Sequence, residues 1–284
     1  MESINNALNK CLKEIKLEDK KQKVISTGFC NLDYLIRGIN RGNLIIMASR
    51  PAMGKTTLAF NIATNVAIRE KIPIAIFSLE MAKETVVNRI ICSEARIDIN
   101  KIRIGNLEEA DWTRLANASN TLSEAKIFID DSPAISINEI EAVCRKLKKE
   151  QNIGLIVIDY LQLVQETNIF NNEQRIAKIN NKLKKISIEL NIAIIVTCQL
   201  PRGIEKRKNK RPKITDLAYR GTSYNDADAI IFLYMDDYYN VDSEKKNIAE
   251  VIVARNRYGD TGTIELEFLK NYFLFVNLER KIKE

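Results

Sequence analysis

Apolar and polar positions follow two different rhythms along this chain, and the change between them divides it. Over residues 3–18, Ile4, Ala7, Leu8, Cys11, Leu12 and Ile15 recur at helical spacing with Asn, Lys and Glu between them, which predicts one amphipathic helix. The stretch "LEDKKQK" that follows is charged, has no apolar period and reads as a linker. The apolar stripe of the helix must be buried on its own domain or on another subunit, and the pattern favours neither.

From Val24 the rhythm becomes that of strands alternating with helices. Short apolar, β-branched runs occur at 43–48, 72–79, 126–130, 154–159, 191–197 and 228–234, with helical patterns between most of them. That order predicts an α/β fold with a largely parallel sheet covered on both faces. The tail differs: "IAEVIVARN", "TIELEFL" and "YFLFVNL" are joined by short turns containing Gly259, Asp260 and Gly262, and read as antiparallel strands at one edge. No internal repeat or low-complexity segment interrupts the pattern. The expected division is therefore helix plus linker over 1–23 and one large domain over 24–284.

Composition narrows the chemistry. The five cysteines (Cys11, Cys30, Cys92, Cys144, Cys198) are scattered, odd in number and lack paired metal-ligand spacing, and there is no histidine; zinc chemistry and histidine acid/base catalysis are excluded. No apolar run is long enough for a membrane span, and the start "MESINNALNK" lacks the pattern of a secretion signal, so a soluble, cytoplasmic protein is expected. The formal net charge of +7 arises from 44 Lys and Arg against 37 Asp and Glu. It is unevenly placed: "RGIEKRKNKRPK" (202–213) holds seven basic residues and one acid, a net of +6 that leaves +1 for the rest of the chain. A local basic element predicts a defined polyanion contact, against the plainer reading of a solvated lysine-rich loop. No aromatics alternate with these cations, which indicates contact with a phosphate backbone rather than base stacking.

Candidate chemistry lies where strands end, because ligands of open α/β sheets bind outside the carboxyl ends of the strands. After the first run, "SRPAMGKTT" (49–57) fits the phosphate-loop pattern with Ser49 in the first glycine position, then Gly54, Lys55 and Thr56. Its backbone N–H groups and the next helix's N-terminus would face phosphates, Lys55 would neutralise them, and the Thr56 hydroxyl would bind Mg²⁺. The expected nucleotide-binding set is Ser49, Arg50, Pro51, Ala52, Met53, Gly54, Lys55, Thr56 and Thr57. Asp159 closes "LIVI" and fits a second Mg²⁺-positioning group. Glu80 is placed to orient or deprotonate an attacking water, although alone it reads better as an acid at a helix N-terminus. Gln199 can hydrogen-bond a γ-phosphate and pass that state to the basic segment just after it; alone it would be an ordinary strand-end residue. Together these groups point to in-line attack of water on the γ-phosphate of ATP.

In this order the motifs resemble the C-terminal motor domain of the bacterial hexameric replicative DNA helicase, the DnaB family, a relative of RecA. The resemblance covers about Val24 to Asn277 and rests on "ISTGFCNLDYLIRG", "SRPAMGKTTLA", "IFSLEM", "KIRIGNLEEADW", "IDDSP", "LIVIDYLQL", "CQLPRGIEKR", "RPKITDL", "DADAIIFLY" and "RNRYGDTG". It implies a RecA-like three-layer sandwich, and a ring of six subunits with ATP and Mg²⁺ bound between neighbours. It also implies single-stranded DNA threaded through the centre and 5′ to 3′ translocation. In those terms Lys55 and Thr56 bind phosphate and Mg²⁺, Glu80 is the catalytic carboxylate, Asp159 the Walker B acid and Gln199 the γ-phosphate sensor. Arg257, with Arg255, matches the arginine finger pair, which acts on a neighbour's phosphates. DNA contact is expected from Arg202, Lys206, Arg207 and Arg220, and helix 3–18 becomes the linker helix docking on the adjacent subunit. Three departures stand out. The family's helical N-terminal domain has no counterpart here, which bears on primase binding and ring assembly. "DLAYRG" replaces the usual "DLRESG", so Ala218 and Tyr219 stand for Arg and Glu. Pro201 replaces the usual Asn. The first two departures keep open an alternative, a RecA-like ATPase that assembles or loads on DNA without unwinding it.

Overall fold

The computed structural model describes residues 24–166, 171–218 and 224–278, with Ile4 alone before them. The predicted helix 3–18 and linker, and the loop positions Tyr219 and Arg220, lie outside the described residues. Each predicted apolar run becomes a strand: β1 (Leu44–Ser49), β2 (Ile74–Ser78), β3 (Ile127–Asp130), β4 (Leu155–Asp159), β5 (Ala193–Gln199) and β6 (Ala229–Met235). The tail supplies β7 (Ile248–Asn256), β8 (Gly262–Leu269) and β9 (Leu274–Asn277). Among the described residues they form one nine-stranded sheet in the order β3-β2-β4-β5-β1-β6-β7-β8-β9. Strands β1 to β6 pair in parallel and β7, β8 and β9 antiparallel at one edge, as the change of pattern in the tail predicts.

Between the strands lie α1 (Cys30–Ile36), α2 (Lys55–Arg69), α3 (Lys83–Ala95), α4 (Ile99–Arg103), α5 (Glu109–Glu124), α6 (Ile137–Gln151), α7 (Asn172–Glu189) and the short α8 (Thr215–Ala218). Alternate residues of each central strand enter two separate cores. Ile45, Met47, Leu155 and Val157 pack with Leu58, Ile62 and Val66 of α2. Leu44, Ile46, Ile156 and Ile158 pack with Ile140 of α6 and Ile179 and Leu183 of α7. A sheet buried on both faces explains why its strands read as unbroken apolar runs rather than as alternating ones. Each such Ile, Leu or Val contributes roughly 1.5–3 kcal/mol by burial, which makes the central strands a rigid floor for whatever their ends carry. The start of α6 is fixed locally: the Ser136 hydroxyl accepts the Glu139 N–H while the Glu139 carboxylate accepts the Ser136 N–H, a reciprocal cap.

Register separates the two ends of the sheet. Ser49 and Gln199 lie opposite each other at the carboxyl ends of β1 and β5, and Leu233, two residues before the end of β6, lies opposite Ser49 on the other side. Strand β7 runs the other way, so Asn256 pairs with Ala229 and the Arg257 N–H bonds to the Asp228 carbonyl, level with Leu44. The pairing shifts between Ile230, opposite Arg255, and Ile231, opposite Val253. Ala254 is thus an extra residue, a bulge that re-aims the chain just before Arg255.

Candidate functional site

The phosphate loop leaves β1 at Ser49 and enters α2 at Lys55. Ala52 (φ 65°) and Gly54 (φ 80°) both adopt left-handed conformations, which Gly54 tolerates because it has no Cβ. A Cβ there would meet Cζ of Phe275 at 2.7 Å and Cε1 of Phe268 at 2.9 Å. These two rings stack 4.3 Å apart and form the bed of the loop. Ser49 fits the first glycine position without damage: it is buried and its hydroxyl donates to the Arg50 carbonyl at 2.7 Å. Helix α2 has no side-chain cap and no acid in its first turn. Its first N–H groups are therefore left for an external anion.

Asp159 is the fixed point opposite. Fully buried at the end of β4, it accepts the Thr56 hydroxyl at 2.9 and 3.0 Å and the Thr197 hydroxyl at 2.5 Å, with Lys55 Nζ 3.7 Å away. Glu80, exposed at the end of β2, and Gln199, at the end of β5, line the same cleft of about 330 Å³. Loop residues Ser49 to Thr57, Glu80 and Gln199 therefore surround one cleft, and Asp159 reaches it through Thr56 and Lys55. Hydroxyl, buried carboxylate and ammonium, with an uncapped helix end beside them, form a donor set that fits a phosphate chain with its divalent cation.

Two features of the cleft were not legible in the sequence. Arg89 on α3 lines it, with its guanidinium 4.9 Å from the centre of the Phe273 ring. Burial lowers the Arg89 pKa, and the carboxylates of Asp159 and Glu80 oppose that shift. Arg50, a loop residue, turns its side chain the other way: Nη1 donates to the Leu200 carbonyl at 2.7 Å and Nε to Glu205 at 2.8 Å.

The basic segment divides into committed and exposed cations. Arg207 forks onto Asp216 at 2.9 and 3.1 Å. Arg211 forks onto Glu250 at 2.6 and 2.7 Å and lies over the Tyr234 ring. Arg202 and Lys206 are exposed on a short 3₁₀ turn, Arg202–Lys206, anchored by buried Ile204.

Arg255 and Arg257 are not at this cleft. Arg257 is level with Leu44, five residues before Ser49 along β1, which puts it about 17 Å from its own phosphate loop. There Arg257 Nη1 lies 3.0 Å from Oδ1 of buried Asp228, whose Oδ2 accepts the Leu44 N–H at 2.8 Å and Lys184 Nζ at 2.6 Å. Oδ1 has no aligned hydrogen-bond donor among the described residues, so the Arg257 guanidinium is held there by charge, and the residue remains exposed.

Comparison with known proteins shows the family and the fold. The family model described as DnaB-like helicase C terminal domain matches residues 24–277. "Replicative DNA helicase DnaC" of Bacillus subtilis (strain 168) is 47% identical over 262 residues, covering 92% of this chain and 58% of the relative. "Replicative DNA helicase DnaB" of Geobacillus stearothermophilus gives the same figures. The chain thus spans 58% of the length of these relatives. A solved structure described as an ATPase domain superposes with a TM-score of 0.91 at 38% identity, covering 98% of this chain and 100% of that one. A structure titled "The Structure Of A DnaB-Like Replicative Helicase And Its Interactions With Primase" gives 0.88 at 38% identity, covering 98% of this chain and 68% of that one.

Proposed function

Because this chain belongs to the DnaB-like helicase C-terminal domain family, we propose that it is the ATP-driven motor of a replicative DNA helicase. It works in a hexameric ring with ATP between neighbours and single-stranded DNA through the centre, moving 5′ to 3′. The observation that carries this reading is the convergence of an uncapped helix end, Lys55, Thr56, Asp159 and Glu80 on one cleft, with the arginine pair at the opposite end of the sheet. Head-to-tail packing brings such opposite ends together.

Each residue has a task. Thr56 and Asp159 would hold Mg²⁺, which when bound draws charge from the phosphate oxygens. Lys55 neutralises the transferred phosphoryl group, and the backbone N–H groups of the loop as far as Thr57, of which Pro51 supplies none, cradle the rest. Glu80 orients water in line and takes its proton. Gln199 senses the γ-phosphate, and Arg257 with Arg255 of one subunit stabilises transition-state charge in the next. Arg202 and Lys206 contact the DNA backbone, joined by Arg220 and by Arg207 when it leaves Asp216. Residues 1–23 form the linker element that docks on a neighbouring subunit, and 24–284 the motor domain. A primase or a loader is the further partner, and the compartment is the cytoplasm. Among the described residues no helix is long and apolar enough to cross a membrane. Relatives named as replicative helicases at 47% identity favour the motor over a loading factor that does not unwind.

The test is ATP hydrolysis with and without single-stranded DNA, followed by displacement of a strand from a fork with a 5′ tail. DNA-stimulated hydrolysis with displacement is expected, and both are lost in Lys55→Ala and Glu80→Ala. A chain that neither binds DNA nor is stimulated by it refutes the motor, and a DNA-bound oligomer without displacement supports the loading factor.

A further inference from the structure

The phosphate loop and the basic turn are joined by a side chain that neither role accounts for. Arg50 belongs to the loop by its backbone, yet its side chain is 9% exposed and its guanidinium turns away from the cleft. Nη1 donates to the carbonyl of Leu200, the residue just after β5, and Nε to the carboxylate of Glu205. Glu205 stands inside the 3₁₀ turn, immediately before Lys206 and three residues after Arg202, the two exposed cations of that turn. The Leu200 N–H in turn donates to the Ser49 carbonyl at 2.9 Å. The first two loop residues are thus fastened to the start of the basic turn by a backbone bond, a side-chain bond to a carbonyl and a charge-assisted ion pair. Such pairs are short and directional, and the planar guanidinium fixes its two acceptors, the Leu200 carbonyl and Glu205, in one plane, which a single-point lysine contact would not do.

Resting on the motor reading above, we infer that Arg50 and Glu205 are a positioning pair that couples the state of the phosphate loop to the turn carrying Arg202 and Lys206. When the loop closes on phosphate, the Arg50 backbone moves with it. Its guanidinium then draws Glu205 and sets where the neighbouring cations point. Loss of phosphate relaxes the same lever. Gln199 adjoins this segment along the chain, whereas Arg50 reaches into the turn itself across 155 residues of sequence. By thermodynamic reciprocity, DNA on the turn must change nucleotide affinity by the same factor as nucleotide changes DNA affinity.

The experiment measures the affinity of the full chain for a fluorescent oligo-dT in ADP and in a non-hydrolysable ATP analogue, and compares the ratio between variants. Glu205→Asp keeps the charge but shortens the reach to Arg50, and Glu205→Gln keeps the reach but removes the charge. Both are expected to retain basal hydrolysis and to lose nucleotide discrimination by about fivefold or more, the lower end of ordinary coupling between sites. Adding Arg50→Lys to either should cost little further discrimination, since both changes break one contact. If Glu205 acts only through its charge on the DNA, Glu205→Asp stays normal and Glu205→Gln shifts both affinities equally, which overturns the inference. Unchanged discrimination in both variants overturns it too. A wild-type chain that binds no oligonucleotide overturns the motor reading along with it, whereas intact wild-type discrimination with indifferent Glu205 variants overturns this inference alone.

Discussion

Removing the Asp228 side chain tests how the arginine end of the sheet is held. The carboxylate is 1% exposed; its Oδ2 accepts the Leu44 N–H at 2.8 Å and Lys184 Nζ at 2.6 Å, and its Oδ1 pairs by charge with Arg257 Nη1 at 3.0 Å. Asp228→Ala leaves the Leu44 N–H, at the start of central strand β1, without its acceptor, a cost of about 1–3 kcal/mol. It also leaves Lys184, 15% exposed, without its counter-ion, and breaking a buried pair from one side costs about 3–5 kcal/mol. Arg257 is 43% exposed, so losing that pair adds less than about 1 kcal/mol. Lys184 keeps one other bond, to the Gly42 carbonyl at 2.8 Å, and these terms overlap, so the expected total is near the low end, about 3 kcal/mol. For a domain of this size that lowers the Tm by roughly 6–12 °C. Asp228→Asn keeps the shape and an acceptor for Leu44 and should lose about half as much. The assay is urea and thermal unfolding followed by circular dichroism, with wild type, Ala and Asn variants side by side. A loss under about 1 kcal/mol in the Ala variant would refute the view that Asp228 organises this end of the fold.

Further expectations concern the loop and pH. Gly54→Ala adds a Cβ at φ 80° against Phe275 and Phe268; it should cost about 1–3 kcal/mol and weaken ADP binding about tenfold or more, measured by calorimetry, and near-wild-type binding would contradict the packing described. Asp111 is hydrogen-bonded by Lys101, by the Glu108 N–H and by Arg114, which hold its carboxyl well down, at about 2. A carboxyl lowered on folding stabilises above its ordinary value near 3.8 and loses that contribution as pH falls through about 2. Asp111→Asn should therefore flatten the decline of Tm between about pH 4 and 2; an unchanged acid profile would contradict the assignment.

Much of this was legible because the sheet is covered on both faces. Runs such as "LIVI" and "AIIVTC" have no polar face to interrupt them, so the first polar residue after each, Asp159 or Gln199, marks a strand end by itself. The resemblance to known motors supplied the arginine pair, and antiparallel pairing explains its distance from its own loop. Contacts between residues far apart in sequence were not legible. Arg89 looks like an ordinary charged residue of a surface helix until Phe273, 184 residues later, closes the other side of the cleft. The basic run reads as seven equal cations, yet Arg207 and Arg211 are spoken for by Asp216 and Glu250. Nothing local hints that Arg50 faces away from the phosphates, since its partner Glu205 is set by how β1 and β5 lie side by side.

If this chain, as proposed, holds half of a catalytic site that Arg257 of a neighbour completes, two inactive variants should restore hydrolysis when mixed. Lys55→Ala lacks the phosphate contact and Arg257→Ala lacks the finger, and each alone should be nearly inactive with DNA and ATP. In an equal mixture assembled at random, an interface works when an intact loop meets an intact finger, a product of one half and one half. Hydrolysis should therefore recover to about a quarter of the wild-type rate. If Arg257 instead served the loop of its own subunit, every subunit would stay defective and the mixture would show no recovery.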